Sequence, residues 1–236
     1  MPRKGEASIA VIIPTYQEEK YIGRLLSQLV RVDYPLEIIV VDGGSKDRTV
    51  EIAKEYTDKV YQMNQRGIPK AKNYGASRSR AEILLFLDAD VNVPPNFTDK
   101  LIEAFSDKRV VGATCNIMPA EPRPSEFAFF LLYNLLLRFF SKFKPHCRGE
   151  FMAVRRDKFM EAGGFDEDLP CQEDHEFTMR VSKLGRFVFI NDLTVYETMR
   201  RFRRLGLLKV VKTWFIDYIY LALFGMPLSK TWRAIR

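Results

Sequence analysis

Two aspartates stand one residue apart, Asp88-Ala89-Asp90, directly after the apolar run Ile83–Leu87. In extended backbone, residues i and i+2 project to the same side, so this spacing presents two carboxylates together. Unpaired, they repel, and a cation between them relieves the repulsion. Hard oxygen ligands suit Mg²⁺ or Mn²⁺, and Mg²⁺ is commonly held by one or two carboxylates plus substrate phosphates. The pair therefore reads as a cation and phosphate site, against the plainer reading of two solvated loop acids.

Three further segments carry polar groups suited to ligands. In Pro14-Thr15-Tyr16-Gln17-Glu18, Tyr16 can stack on a base and Glu18 can accept from ribose hydroxyls. The same residues equally make a strand-to-helix turn, with Thr15 as N-cap and Glu18 as its capping-box partner. In Asp42-Gly43-Gly44-Ser45-Lys46-Asp47, Asp42 can accept from a base imino group and the glycines admit a ligand to the backbone. A capped βα loop is the competing reading. In Gln172-Glu173-Asp174-His175-Glu176, Asp174 is a candidate general base, although acids also favour a helix N-terminus for electrostatic reasons alone. Neither a P-loop nor a G-x-G-x-x-G fingerprint occurs. Cys171 and His175 have no matching pair to complete a zinc site, and His146-Cys147 is left unassigned.

The elements that must position these groups alternate. Ser8–Ile13, Leu36–Val41, Lys59–Gln62 and Ile83–Leu87 read as strands. Between them Glu18–Val30, Asp47–Tyr56 and Pro69–Arg80 carry helical spacing, the last with Ala71, Gly75 and Ala76 for close packing. Such alternation predicts parallel strands with helices on both faces, and ligands outside the strands' carboxyl ends. The second half is less regular. Pro94–Phe105, Arg156–Ala162 and Glu173–Leu184 are predicted helices; Val110–Met118, Glu150–Val154 and Phe187–Ile190 are predicted strands.

A chain of 236 residues with 47% apolar content supports a sizeable core. Three cysteines without C-x-x-C argue against a disulfide framework and for a reducing compartment, and Met1–Ala7 does not read as a signal peptide. The formal charge of +7 calls for an anionic partner. Basic residues gather at Arg138–Arg148 and Arg200–Lys212, beside the apolar runs Phe127–Phe143 and Leu205–Leu228. Charges interrupt both runs, so neither reads as a spanning helix. The pairing favours helices lying in a membrane surface over nucleic acid, with a core helix or a homodimer interface as the alternative.

Taken in order, VIIPTYQEEKYI, IIVVDGGSKDRT, KAKNYGASRSRAEILLFLDADV and GGFDEDLPCQEDHEFTMRVSKLG resemble the family-2 glycosyltransferases over residues 8 to about 190. The resemblance implies an α/β fold of the GT-A (Rossmann-like) type, a mostly parallel central sheet flanked by helices, here with amphipathic C-terminal helices. It implies one domain over 1–236: a nucleotide-sugar half at 8–118, an acceptor half at 119–198, and basic, apolar membrane-associating helices at 199–236. Pro14, Thr15, Tyr16, Glu18 and Asp42 would hold the nucleoside of a UDP- or GDP-sugar. Asp88, Ala89 and Asp90 would form the D-x-D motif for Mg²⁺ or Mn²⁺ and the diphosphate, with Lys72 near it. Asp174 would be the base of an inverting, single-displacement transfer. Arg148, Glu173, Arg180, Arg200 and Arg201 are assigned to acceptor or phosphate, with an ion-pair role equally open for Arg180 and a solvated basic face for the Arg200 region.

Processive members carry Q-x-x-R-W before transmembrane helices. Here the region reads Met199-Arg200-Arg201-Phe202-Arg203-Arg204-Leu205-Gly206, which implies transfer of one sugar. The expected acceptor is membrane-located or lipid-linked and the expected location the inner membrane surface. A sugar-phosphate nucleotidyltransferase and a non-catalytic membrane-surface protein are the alternatives; the first lacks its glycine-rich opening loop here.

Overall fold

The computed structural model describes residues 8–141, 143–231 and 235, so the readings of Met1–Ala7 and Lys142 lie outside the described residues. Strands β1 (Ile9–Thr15), β2 (Leu36–Asp42), β3 (Val60–Gln62) and β4 (Ile83–Leu87) alternate with helices α1 (Ile22–Leu29), α2 (Thr49–Lys54) and α3 (Ile68–Ser77). Then follow β5 (Val91–Asn92), α4 (Phe97–Ser106), β6 (Val110–Pro119), α5 (Pro124–Phe140), β7 (Phe151–Arg155), α6 (Arg156–Glu161), α7 (Glu173–Val181), β8 (Arg186–Glu197), α8 (Arg200–Leu205) and α9 (Leu207–Phe224). One sheet takes the eight strands in the order β3-β2-β1-β4-β7-β6-β8-β5. The first four are mutually parallel, β7 runs antiparallel between β4 and β6, β8 is parallel to β6, and β5 is antiparallel to β8.

The continuous apolar runs of β1, β2 and β4 follow from helices covering both faces. Alternate residues serve opposite sides. Ile9, Val11, Ile13, Val40 and Leu85 join a core with α1, α4, α5 and α8, whereas Ala10, Ile12, Val41, Leu84 and Phe86 join a core with α3, α6 and α7. Helix α3 lies close to the sheet because Gly75 has no side chain: a Cβ there would stand 2.5 Å from Ile12 Cγ2 and 3.2 Å from Val41 Cγ2. Gly75→Ala should therefore cost about 1–3 kcal/mol as overpacking. The expected result is a melting temperature lower by several degrees, at about 2–4 °C per kcal/mol for a chain of this size.

Strand β8 runs seven residues past its predicted end. Asn191 and Asp192 break the apolar pattern, yet they form a bulge rather than a stop: the register against β6 shifts after Cys115. Asn116 Nδ2 donates to the carbonyls of Asn191 (2.8 Å) and Leu193 (2.9 Å), satisfying the backbone that the bulge frees.

Among the described residues no helix is long and apolar enough to cross a membrane. Helices α5 and α9 nevertheless expose large apolar side chains, including Leu131, Leu132, Leu135 and Phe139 on one and Leu208, Leu223 and Phe224 on the other. Asp217, the acid inside the α9 run, points inward: it is buried, and its Oδ1 accepts from the Ser229 amide at 2.8 Å.

Candidate active site

The carboxyl ends of β1, β2 and β4 share one edge of the sheet because the three strands are parallel. An antiparallel strand brings its beginning to that edge. The β4–β7 register pairs Leu87 with Phe151, which sets Asp88 beside Glu150, one step further along each strand. The β5–β8 register pairs Val91 with Glu197 and sets Asp90 beside Thr198, whose hydroxyl hydrogen-bonds to Asp90 Oδ2. Glu150, Glu197 and Thr198 went unrecognised in the sequence. Glu150 stood at the head of a predicted strand, but strand direction is not written in an apolar run.

Two cavities meet at this edge. The larger, about 800 Å³, is lined by Pro14, Thr15, Tyr16, Glu18, Asp88, Ala89 and Asp90, as grouped from the sequence, and also by Arg200 and Arg201. Arg200 clamps two of these acids. Its guanidinium makes paired 2.7 Å hydrogen bonds to both Glu18 oxygens, and its Nε lies 3.0 Å from Asp90 Oδ2. Arg200 thus stands on the side of the cavity expected for the donor, not among acceptor groups. Arg66, not anticipated, covers the Tyr16 ring at 4.1 Å. The capping-box reading of Thr15 and Glu18 fails, since α1 begins only at Ile22. Thr15 Oγ1 instead donates to Asp42 Oδ1 at 3.3 Å.

Asp42 is not itself in the lining of either cavity but lies directly behind Thr15 and Gly43 of the larger one. It is fully buried, and its Oδ2 accepts the amides of Gly44 (3.0 Å) and Ser45 (2.8 Å) while its Oδ1 meets the Ser45 hydroxyl at 2.5 Å. Its carboxylate holds the β2–α2 loop, and its hydrogen-bond partner Thr15 lines the larger cavity. Gly43 from that loop does line the larger cavity, where no side chain intervenes.

The second cavity, about 500 Å³, contains Lys72, Arg148, Glu173 and Asp174 and shares Asp88 and Glu150 with the first. Lys72 Nζ lies 2.8 Å from Glu173 Oε1, both side chains buried. Arg148 Nη2 donates to Glu150 Oε1 (2.5 Å) and Glu197 Oε1 (2.6 Å), and Phe130, Tyr133 and Trp214 ring its guanidinium at 5.1–5.6 Å. Asp174 Oδ1 accepts the His175 amide at 2.9 Å. The chain passes tightly here: a Cβ on Gly149 would stand 3.4 Å from Asp174 Oδ2 and 3.5 Å from Lys72 Nζ. Arg180, by contrast, faces neither cavity. It pairs with Glu176 and donates to the carbonyls of Ala162 and Gly164 (2.8 Å to the latter), so it braces α7 against the preceding turn rather than binding phosphate.

Burial and neighbouring acids shape the protonation of this edge. Asp88 is pushed up to about 7, by burial first and then by Glu150. Asp174 is pushed up to about 8, by burial first and then by Glu173. Burial opposes the charge on Lys72, yet Glu173, Asp88 and Asp174 together hold it above its ordinary value. Among the described residues no group of three acids, histidines or cysteines forms a ready-made cation cage. Asp88 nevertheless fits one ligand position: it is half-buried, makes no ion pair among the described residues and faces other acids. A cation held by one or two carboxylates and completed by substrate phosphates needs no larger set.

Comparison with known proteins bears on the same residues. A family model described as glycosyl transferase family 2 matches residues 10–163. The 4,4'-diaponeurosporenoate glycosyltransferase of Staphylococcus haemolyticus is 43% identical over 100 residues, which is 39% of this chain and 27% of that protein. The glycosyltransferase AglE of Haloferax volcanii is 26% identical over 209 residues, covering 84% of this chain and 69% of that one. This chain therefore spans about a quarter of the staphylococcal relative and about two thirds of the archaeal one. Among solved structures, the mannosyltransferase PcManGT from Pyrobaculum calidifontis, in complex with GDP-Man and Mn²⁺, superposes with a TM-score of 0.71 at 24% identity. That match covers 95% of this chain and 73% of the other, and it establishes the GT-A fold expected from the sequence. With the family model matching well over half of its length, the chain belongs to glycosyl transferase family 2.

Proposed function

We propose that the protein moves one sugar from a nucleotide-diphosphate sugar to a membrane-located acceptor in a single inverting displacement. The observation that carries this reading is the junction of the two cavities at Asp88 and Glu150, with Asp174 in the second. The nucleotide sugar occupies the larger cavity, with Tyr16 and Arg66 against the base and Glu18 near the ribose. Asp88 and Asp90 would hold Mg²⁺ or Mn²⁺ together with the diphosphate, and the cation would neutralise charge on the leaving nucleoside diphosphate. The Mn²⁺ and GDP-Man of the Pyrobaculum mannosyltransferase support that choice of ligands.

Asp174 takes the proton from the acceptor hydroxyl as its oxygen bonds to the anomeric carbon. The bond from that carbon to the diphosphate oxygen breaks at the same time, and the nucleoside diphosphate leaves with the electron pair. Lys72, fixed by Glu173, holds positive charge beside the two carboxylates, and its ion pair keeps Asp174 from facing Glu173 unbalanced. The exposed apolar faces of α5 and α9, with Lys209 and Lys212 on the latter, support docking on an anionic membrane surface.

A panel of UDP- and GDP-sugars with Mn²⁺ and a membrane lipid extract tests this reading. The expected result is release of one nucleoside diphosphate and a product of inverted anomeric configuration, with the protein sedimenting with anionic vesicles at low salt. Silence with every donor would remove the reading; retention of configuration would remove the single displacement.

A further inference from the structure

The second cavity has an asymmetry that bears on what it accepts. One end holds Asp88, Glu150, Glu173 and Asp174 against two cations, Lys72 and Arg148. Both cations are already ion-paired: Lys72 with Glu173, and Arg148 through Nη2 with Glu150 and Glu197, while its buried Nη1 makes no hydrogen bond among the described residues. Among the described residues Asp88 and Asp174 make no ion pair. A charged phosphate or carboxylate arriving at Asp174 would meet two acids, Asp174 and Glu173, against one cation, Lys72. An ionised acceptor would also have no proton for Asp174 to remove, whereas a neutral hydroxyl needs a base.

The other end is apolar. Leu137 and Phe140 of α5 and Phe215 and Tyr218 of α9 line it. His146 and His175 stack at 3.8 Å between ring centroids, each with its edge or face toward Tyr218 at 5.2 and 5.8 Å. They add no positive charge at neutral pH: burial first, then nearby cations, lower His146 to about 4, and burial and His146 lower His175 well below its usual value. Lys144 also lines the cavity, over the Tyr218 ring at 5.3 Å. The walls belong to the same two helices that expose apolar side chains outward.

We infer that the second cavity binds an uncharged amphiphilic alcohol, its hydrocarbon body between α5 and α9 and its hydroxyl at Asp174, and that it disfavours acceptors whose reacting group is a phosphate or carboxylate. This rests on the proposed function and narrows the acceptor of that reaction. The hydrocarbon occupies the apolar end because each buried methylene contributes about 0.8 kcal/mol. The acid-rich end selects the hydroxyl by making an anion unwelcome, an element of exclusion as much as attraction.

Calorimetry on the whole chain with saturating nucleoside diphosphate and Mn²⁺ tests the inference. The probes are octyl β-glucoside, methyl β-glucoside and octyl phosphate, all below micelle-forming concentration. The octyl glucoside should bind at least ~10-fold tighter than either other probe: over methyl glucoside through its seven extra methylenes, and over octyl phosphate, which has the same chain, through the phosphate's charge beside Asp174 and Glu173. Phe140→Ser and Phe215→Ser, on half-exposed cavity walls, should erode that preference and leave nucleoside-diphosphate affinity unchanged. Leu131→Ser and Leu223→Ser, outside the cavity on the same helices, should leave it intact.

Octyl phosphate binding as tightly as octyl glucoside would overturn the inference. So would equal losses from cavity and outer-face variants, which would assign the binding to the general apolar surface. Absence of nucleoside-diphosphate binding in the wild-type protein would remove the proposed function, and the inference with it. Normal nucleoside-diphosphate binding without the octyl preference would remove the inference alone.

Discussion

Asp174→Asn should lower kcat by roughly a hundred- to ten-thousand-fold, the usual contribution of a positioned general base. Donor affinity should not change, because Asp174 lines only the second cavity. The same substitution should raise stability. The Asp174 carboxyl is pushed from 3.8 up to about 8, by burial first and then by Glu173, so the folded protein holds this proton more tightly than the unfolded chain. Its contribution to stability is therefore present below about pH 4 and is lost as pH rises toward 8. Asparagine carries no such charge, so the variant should melt higher than wild type at pH 8 and equal to it at pH 4. The wild-type kcat/KM should rise with pH through the range in which Asp174 ionises, and the residual activity of the variant should lack that limb. Normal turnover in the variant would place the base elsewhere; a lower melting temperature at pH 8 would show that the carboxylate is compensated in solution.

Asp88→Asn should change sign with conditions. With Mn²⁺ present, affinity for a nucleoside diphosphate should fall at least ~10- to 100-fold, as expected when a metal's surroundings are altered. In chelator the order should reverse. Wild type then presents Asp88, crowded by Glu150 and Asp90, to an anion, and the variant removes one of those repelling groups. Titrations of both proteins with and without Mn²⁺ should therefore cross. Parallel losses in both media would mean that Asp88 contacts the nucleotide directly; no loss in Mn²⁺ would exclude it as a ligand.

Much of the sheet was legible because its strands are covered on both faces and read as unbroken apolar runs. The four parallel strands and the helices between them lie close to where periodicity put them, and the parallel arrangement accounts for the place of Asp88 and Asp90 after β4; Asp174, at the start of α7, was singled out through the family resemblance. What was not legible depends on pairing. Glu150 reaches Asp88 only because β7 is antiparallel to β4, and Glu197 reaches Arg148 only because β8 continues through a bulge. Arg180 had two readings open, phosphate contact and ion-pair partner, and the structure shows the second: it pairs with Glu176 one turn earlier on α7 and donates to the carbonyls of Ala162 and Gly164. That the Asp42 carboxylate also braces the turn after β2 was not legible, because the bonds come from the Gly44 and Ser45 amides of that turn.

The Arg200 clamp gives the chain an order of completion. Glu18 and Asp90 emerge early in synthesis, and the four parallel strands around them can assemble once β4 is made. Their shared counter-ion lies 110 residues beyond Asp90, which at about 5–20 residues per second is a delay of roughly 5–20 s. Throughout that interval a nascent chain carries the acids of the larger cavity without the guanidinium that sets their positions. The growing polypeptide would then be a poor sink for nucleotide sugar until α8 has docked, and a ribosome-stalled chain halted before residue 200 should bind donor more weakly than one halted after α9.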